Sequence, residues 1–137
     1  KKVSAGLREM SMELPVPGIL ESPFGVFESK IFSYKKQKIE EKKYTKWFDY
    51  DKIKNSPCVR TRRQGDYLTV NSEGGRKKLN RIFIDEKIPA EMRDRLPVVA
   101  AGSEILWIPG GRMNEKYKIT STTGRVLELH YQGGALA

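Results

Sequence analysis

The sequence is poor in the residues that most often build metal sites and covalent catalytic centres. Its 137 residues include one cysteine, Cys58, and one histidine, His130. A disulfide within the chain needs two cysteines, and zinc sites draw several ligands from cysteine and histidine, so we expect neither. A Cys–His catalytic pair is also disfavoured. The scarcity of cysteine favours a reducing compartment, and we therefore expect a cytoplasmic protein.

Long apolar runs are missing as well. No stretch approaches the roughly 18 consecutive apolar residues of a membrane-spanning helix, and the chain does not open with the pattern of a signal peptide. We therefore expect no membrane partner. The first residue is lysine rather than methionine, and we expect the chain to be a piece of a longer protein.

Familiar catalytic motifs are absent from the sequence. It contains neither a glycine-rich phosphate loop followed by Lys-Ser/Thr nor a Gly-x-Ser-x-Gly motif. Asp85 and Asp94 alternate with Lys87, Arg93 and Arg95, where ion pairing is a simpler interpretation than acid–base chemistry. We therefore expect Asp85 and Asp94 to orient nearby arginines, and we predict no catalytic, metal-binding or cofactor-binding residue in this chain.

Positive charge, by contrast, is abundant. The net charge is +9, while an apolar fraction of 38% is that of a globular domain. Such an excess favours an anionic partner, with nucleic acid first and an anionic membrane second. Residues 60–81 form the most basic window, with seven cations and two acids.

Three arginines lie in the first half of this window. The segment CVRTRRQGDYLTV, residues 58–70, predicts a strand interrupted at residues 64–66. Alternation along a strand would place Arg60 and Arg62 on one face and Arg63 on the other. Because guanidinium groups bind phosphate bidentately, we predict that all three contact RNA.

The second half of the window predicts a helix whose first turn is basic. Apolar residues at the spacing of residues 79, 82 and 83 predict a helix that packs on a sheet. Cations in a first helical turn oppose the helix dipole by a few tenths of a kcal/mol each, and a phosphate group would neutralise them. We therefore predict RNA contacts from Lys77, Lys78 and Arg81. The alternative is that Lys77 and Lys78 only keep the helix soluble.

A second short helix follows. Pro89 suits its first position, and Pro97 would end it as structural support. Arg93 and Arg95 would then flank or support the RNA surface. Alternatively, these two arginines are buried partners of the neighbouring acids.

The rest of the sequence predicts strands on both sides of these helices. Residues 10–14 and 26–34 and the segments after Val98 have strand patterns, and the lysine-rich residues 35–44 predict a surface loop. This order predicts an α+β fold of mostly antiparallel β layers with two short helices on one side. We divide the chain into a β-rich part at 1–55, a basic core at 56–132 and a disordered tail at 133–137.

Three segments of the sequence, taken together, resemble a known protein family. VRTRRQGDYL, GGRKKLNRIFIDEKIPAEMRDRLPVV and EILWIPGGRMNEKYKIT together resemble the C-terminal domain of bacterial tRNA(Ile)-lysidine synthases, and ELPVPGILESPFG and WFDYDKI extend the match to about residues 9–130. The sequence departs from the family at Asn80, where another basic residue is usual, and at Tyr67, where a charged residue often stands.

The resemblance implies a layered β/β/α fold like that of a domain in the phenylalanyl-tRNA synthetase β subunit. It also implies that the parent protein is an ATP-dependent ligase that joins lysine to the wobble cytidine of tRNA(Ile) with a CAU anticodon. This domain would recognise the tRNA body, chiefly the acceptor stem. ATP, magnesium and lysine would bind to a PP-loop catalytic domain that this chain lacks, so we expect the fragment alone to be inactive.

The expected partners are therefore tRNA(Ile) and the parent's own catalytic domain, and a homodimer is possible. The alternative hypothesis is a protein–protein interaction or dimerisation module that is basic only for solubility. Clustered arginines favour the first hypothesis, whereas scattered lysines would favour the second.

Overall fold

The computed structural model describes residues 10–40 and 42–133, which form ten strands and two short α-helices. The helices are α1 (Leu79–Asp85) and α2 (Ala90–Arg93), and 3-10 turns lie at Tyr50–Lys52 and Glu115–Tyr117. The strands are β1 (Ser11–Glu13), β2 (Gly18–Ser22), β3 (Gly25–Ser33), β4 (Thr45–Asp49), β5 (Cys58–Arg60), β6 (Tyr67–Thr69), β7 (Arg76–Lys78), β8 (Val98–Ala101), β9 (Glu104–Trp107) and β10 (Arg125–Gly133).

The strands form two sheets. One has six strands in the order β1-β5-β8-β9-β6-β7, and the other has four in the order β2-β3-β10-β4. Neighbouring strands are antiparallel except β6 and β9, which are parallel. The predicted α+β class with mostly antiparallel layers is therefore confirmed.

Two hydrophobic cores hold the layers together. The first lies between the sheets and includes Phe27, Phe48 and Trp107, all fully buried. The second lies between the six-stranded sheet and α1, and its members include Leu68 and Ile105 from the sheet and three residues of α1. The six-stranded sheet is thus covered on both faces, which is the layered β/β/α arrangement.

The division predicted at residue 55 does not separate two structural units. β1, from the first part, pairs with β5, and β10, from the second part, lies between β3 and β4. These strand pairings bury alternating apolar side chains in a core that both parts share, as Leu127 and Leu129 of β10 show. Of the predicted tail, Gly133 is the last residue of β10, and the residues after it lie outside the described part of the chain.

The basic segment before α1 is a strand, which corrects the prediction that it forms a first helical turn. β7 pairs with β6 in the register Tyr67 to Lys78 and Thr69 to Arg76, and Lys78 is only the N-cap of α1. The preceding glycines belong to the hairpin turn between these strands. Gly74 has a φ of 87°, and the amide of Gly75 donates to the side chain of Asn71, so this amide has a partner within the turn.

The helices differ from the prediction at several of their ends, although the face of α1 that packs on the sheet does not. The predicted apolar face of α1 is confirmed, because its buried residues are Leu79, Ile82 and Phe83. Pro89 is the N-cap of α2 rather than its first residue. Pro97 does not end α2, since the helix already stops at Arg93 and Pro97 instead precedes β8. In the described part of the chain, neither helix is long and apolar enough to cross a membrane.

Candidate nucleic-acid interface

The predicted RNA-contacting residue Arg60 is instead buried in an ion pair. Its Nη1 and Nη2 atoms donate to Asp66 Oδ2 and Oδ1 at 2.9 and 2.8 Å, and both side chains are 2% exposed. Burial alone lowers the pKa of Arg60, but the hydrogen bonds and charge of Asp66 outweigh it and raise the pKa overall, with a smaller contribution from Cys58. This placement corrects the assignment of Arg60 to the RNA surface, because β5 lies between β1 and β8 in a sheet whose two faces are both covered.

The buried pair fixes the segment that we call the arginine turn, residues 61–65. Asp66 Oδ2 accepts the amide of Arg63 at 2.7 Å, and the carbonyl oxygen of Asp66 accepts the amide of Leu79, the first residue of α1, at 2.9 Å. Arg60 Nη2 also donates to the carbonyl oxygen of Gly102, in the turn between β8 and β9. The side chains of the ion pair therefore hold the arginine turn and the turn between β8 and β9, and the backbone of Asp66 holds the start of α1.

The arginine turn presents its two other arginines beside α1. Arg62 Nε donates to Asp94 Oδ1 and Arg62 Nη1 to Asn80 Oδ1, both at 2.9 Å, so this side chain bridges the two helices. The side chain of Arg63 is exposed, and no acid of the described residues lies within ion-pair distance of it. The turn thus offers one oriented guanidinium and one without an anionic partner.

The other flank of α1 carries a cluster of cations around one acid. Lys77 Nζ lies 2.6 Å from Asp85 Oδ2, and Arg81 Nε lies 3.2 Å from Asp85 Oδ1. The hydrogen bond from Lys77 is the largest cause of a lowered pKa for Asp85; desolvation opposes it, and the charges of Lys77, Arg81 and Arg112 add to it. The cluster therefore remains cationic around its single carboxylate.

Arg112 was missed by the sequence reasoning. It is exposed and follows the turn at Gly110 and Gly111, far along the chain from α1. Its charge nevertheless acts on Asp85, so the fold brings it to the same flank. An arginine after a glycine pair is the only signal in the sequence, and it does not indicate where the turn lies in space.

The remaining predicted cations lie at two further positions. Arg93 Nε donates to the carbonyl oxygen of Ile88 at 2.9 Å, so it ties α2 to the segment after α1 rather than pairing with a neighbouring acid. Arg95 is exposed just after α2. Arg76 and Lys78 are exposed on the opposite side of β7 from Lys77, and Lys78, as the N-cap residue of α1, still adjoins the start of that helix.

Asp85 and Asp94 both contact cations, but not those expected from their neighbours in the sequence. Asp85 binds Lys77 and Arg81, and Asp94 binds Arg62. The fold brings these acids next to cations that are distant in the sequence, such as Arg62 for Asp94, or one helical turn away, such as Arg81 for Asp85.

We use the name α1 surface for the exposed side of α1 with the cations that adjoin it. Such a surface can bind phosphate groups through guanidinium and ammonium donors. In the described part of the chain, no group of histidine, cysteine and acidic residues could hold a metal ion. The members of the α1 surface are Arg62, Arg63, Lys77, Lys78, Arg81, Arg93, Arg95 and Arg112, with the acids Asp85 and Asp94.

Curated proteins similar to this chain share one description. The chain is 50% identical over 88 residues to a tRNA(Ile)-lysidine synthase of Caldanaerobacter subterraneus subsp. tengcongensis, which covers 64% of the chain and 19% of that protein. It is 38% identical over 123 residues to the tRNA(Ile)-lysidine synthase of Geobacillus kaustophilus, covering 88% of the chain and 26% of that protein. The chain thus spans about a fifth to a quarter of the length of these relatives.

A solved structure and a protein family match the same fold. The structure described as "Crystal structure of TILS C-terminal domain" superposes with a TM-score of 0.75 at 33% identity, covering 90% of this chain and 96% of that one. The family described as the TilS substrate C-terminal domain matches residues 58–129, from the first residue of β5 into β10. The matched residues contain the buried ion pair, both helices and the whole α1 surface, and on this evidence the chain belongs to the TilS substrate C-terminal domain family.

Proposed function

We propose that the chain is the tRNA-recognition domain of a tRNA(Ile)-lysidine synthase, the ligase that uses ATP to join lysine to the wobble cytidine of tRNA(Ile). In this proposal the α1 surface binds the tRNA body, at the acceptor stem, in the cytoplasm. ATP, magnesium and lysine bind to the catalytic domain of the parent protein, which is the second partner of this chain. The relatives named tRNA(Ile)-lysidine synthase support the assignment.

The observation that carries the proposal is the convergence of cations on α1. They come from separate segments: the arginine turn, β7, α1 itself, the end of α2 and the turn at Arg112. Asp85, Asp94 and Glu86, the exposed acid that ends α1 beside Arg112, are outnumbered by eight cations, so the surface keeps a net positive charge after the ion pairs form. A surface that binds only a neutral protein partner gains nothing from this arrangement.

The chemistry of the surface suits a duplex backbone. Most of its contacts would be made by guanidinium and ammonium groups, which bind phosphates and position a protein on nucleic acid. Aromatic rings that stack single-stranded bases are scarce there: among the described residues, Tyr67 adjoins the surface beside Arg76, and Trp47 lines a pocket with Arg112. Structured RNA recognised by shape and backbone therefore fits better than an extended single strand.

The direct test is a titration of the chain with a tRNA(Ile) transcript at several salt concentrations. The double variant Arg63→Ala/Lys78→Ala removes two exposed cations from the α1 surface. We expect weaker binding and a log–log salt slope that falls by about one for each lost phosphate contact.

A matched control removes the same charge elsewhere. Lys35 and Lys38 are exposed on the lysine-rich loop, so Lys35→Ala/Lys38→Ala changes the net charge equally. We expect this variant to keep the slope of the unmodified chain. Equal losses of affinity in both variants would mean that only net charge matters. If the unmodified chain does not bind the transcript, the alternative of a protein-interaction or dimerisation module would be favoured.

A further inference from the structure

The hairpin of β6 and β7 carries a stacked pair of side chains on the face opposite Lys77. Tyr67 lies opposite Lys78, and Thr69 lies opposite Arg76. The guanidinium carbon of Arg76 lies 4.6 Å from the centre of the Tyr67 ring. Lys77, between the two cations on β7, points the other way and binds Asp85 on α1. The stacked pair therefore adjoins the α1 surface across the width of one edge strand.

A second arginine–tyrosine pair in the same molecule shows what is unusual about the first. Arg125 lies 5.0 Å from the ring centre of Tyr50, and it also donates from Nε and Nη2 to Asp51 Oδ1 at 3.0 and 2.6 Å. Its charge is therefore neutralised by a protein carboxylate. In the part of the chain that the structure describes, no carboxylate lies within ion-pair distance of Arg76.

We propose that Arg76, held over the ring of Tyr67, is a stacking platform for an unpaired nucleotide that adjoins the RNA duplex on the α1 surface. A guanidinium plane has two faces, and when one lies on a tyrosine ring the other stacks a nucleobase. Lys78, exposed on the same face of β7, lies where it binds the phosphate of that nucleotide. This inference rests on the proposed function, because it takes the duplex position from the α1 surface.

The charge and the position of the platform both favour a nucleotide. Its outer surface consists of two cations over an aromatic ring, which complements an anionic phosphate beside a flat base. β7 is the last strand of the six-stranded sheet, so nothing in the sheet covers that edge. A strand of RNA that leaves the duplex at Lys77 therefore reaches Arg76 and Lys78 by passing over this edge.

The test compares two RNA hairpins as probes. Both carry the same short single-stranded 3′ extension, but in one the extension is abasic, so its phosphates remain and its bases are missing. We expect the unmodified chain to bind the hairpin with bases about tenfold more tightly, since stacking contributes about 1–3 kcal/mol for each base. Equal affinity for the two hairpins overturns the platform and leaves the proposed function standing.

Variants then locate the effect. Arg76→Lys keeps the charge and removes the plane, so the tenfold preference should be lost while affinity for the abasic hairpin stays unchanged. Arg125→Lys is the matched control, and it should keep the preference. Loss of the preference in both variants, or its retention in Arg76→Lys, places the bases elsewhere and overturns the proposal. If the unmodified chain binds neither hairpin nor the tRNA transcript, the proposed function fails and the platform fails with it.

Discussion

Two arginines at the arginine turn, Arg60 and Arg63, lie in opposite environments. Arg60, just before the turn, is 2% exposed and is bonded to Asp66 by both of its terminal nitrogens. Arg63, inside the turn, has an exposed side chain, and only its backbone amide is bonded to Asp66. One acid thus neutralises the buried arginine and also holds the backbone that displays the exposed one.

Cations that are clustered in the sequence thus separate on folding into those that pair with acids inside the protein and those that are exposed to a ligand. A buried ion pair contributes little net stability over an apolar pair, but breaking it leaves a buried charge without a partner. An exposed cation contributes little to stability in either case and is available to a ligand. Substitution of Arg60 should therefore lower stability, whereas substitution of Arg63 should lower RNA affinity.

The largest effect is expected from breaking the buried pair. Arg60→Met leaves Asp66 buried without its partner, so we expect the free energy of unfolding to fall by about 3–5 kcal/mol. Chemical denaturation measures this loss, and Arg63→Met is the matched control, with a change within about 0.5 kcal/mol. Similar losses of stability in both variants would show that Arg60 and Arg63 do not differ as described.

The next effect concerns RNA rather than stability. Arg63→Ala removes a cation that no protein carboxylate neutralises, so affinity for a tRNA transcript should fall and the salt slope should decrease by about one. The melting temperature should stay close to that of the unmodified chain. An unchanged slope in a folded variant would remove Arg63 from the interface.

A smaller effect is expected where an arginine is both paired and exposed. Asp94→Asn releases Arg62 from its carboxylate partner, and because this pair is partly exposed, the stability loss should stay below about 1 kcal/mol. The added positive charge should strengthen binding to any RNA duplex. Since Arg62 then loses its charged partner and keeps the hydrogen bond to Asn80, it is less firmly oriented, and the preference for tRNA over an unrelated duplex should decrease. Competition binding measures both changes.

The smallest effect is a pH dependence from Asp85. Lys77 lowers the pKa of this carboxyl, so its ion pairs stabilise the fold above the usual carboxyl range, and the contribution is lost as the pH falls through the lowered pKa. The melting temperatures of the unmodified chain and of Asp85→Asn should therefore differ near neutral pH and converge in acid. A difference that grows towards low pH would contradict the assignment.

Local patterns in the sequence were enough to predict much of the layered fold. The strand patterns of residues 10–14 and 26–34 and of the segments after Val98 predicted strands that the fold contains, and the spacing of Leu79 and Ile82 predicted the face of α1 that packs on the sheet. These predictions succeed because burial of one face is decided by neighbours within a single element.

The errors concern pairings between elements. Arg76–Lys78 pairs with β6 across a hairpin turn, and the apolar spacing that predicted α1 contains no information about this pairing. Arg60 was assigned to the surface because guanidinium groups bind phosphate, and the sequence does not show that β5 lies inside a sheet, where Asp66 pairs with this arginine. The division at residue 55 does not follow the fold, because β10, near the end of the chain, lies between β3 and β4 in the four-stranded sheet.

The most direct measurement of the central claim is lysine footprinting of the chain with and without a tRNA(Ile) transcript. Acetylation rates would be compared at Lys78, on the α1 surface, and at Lys30, which is exposed on the four-stranded sheet. If the α1 surface binds the RNA, Lys78 becomes protected while the rate at Lys30 stays unchanged. Protection of Lys30 with continued acetylation of Lys78 would place the RNA on the other side of the molecule and contradict the account.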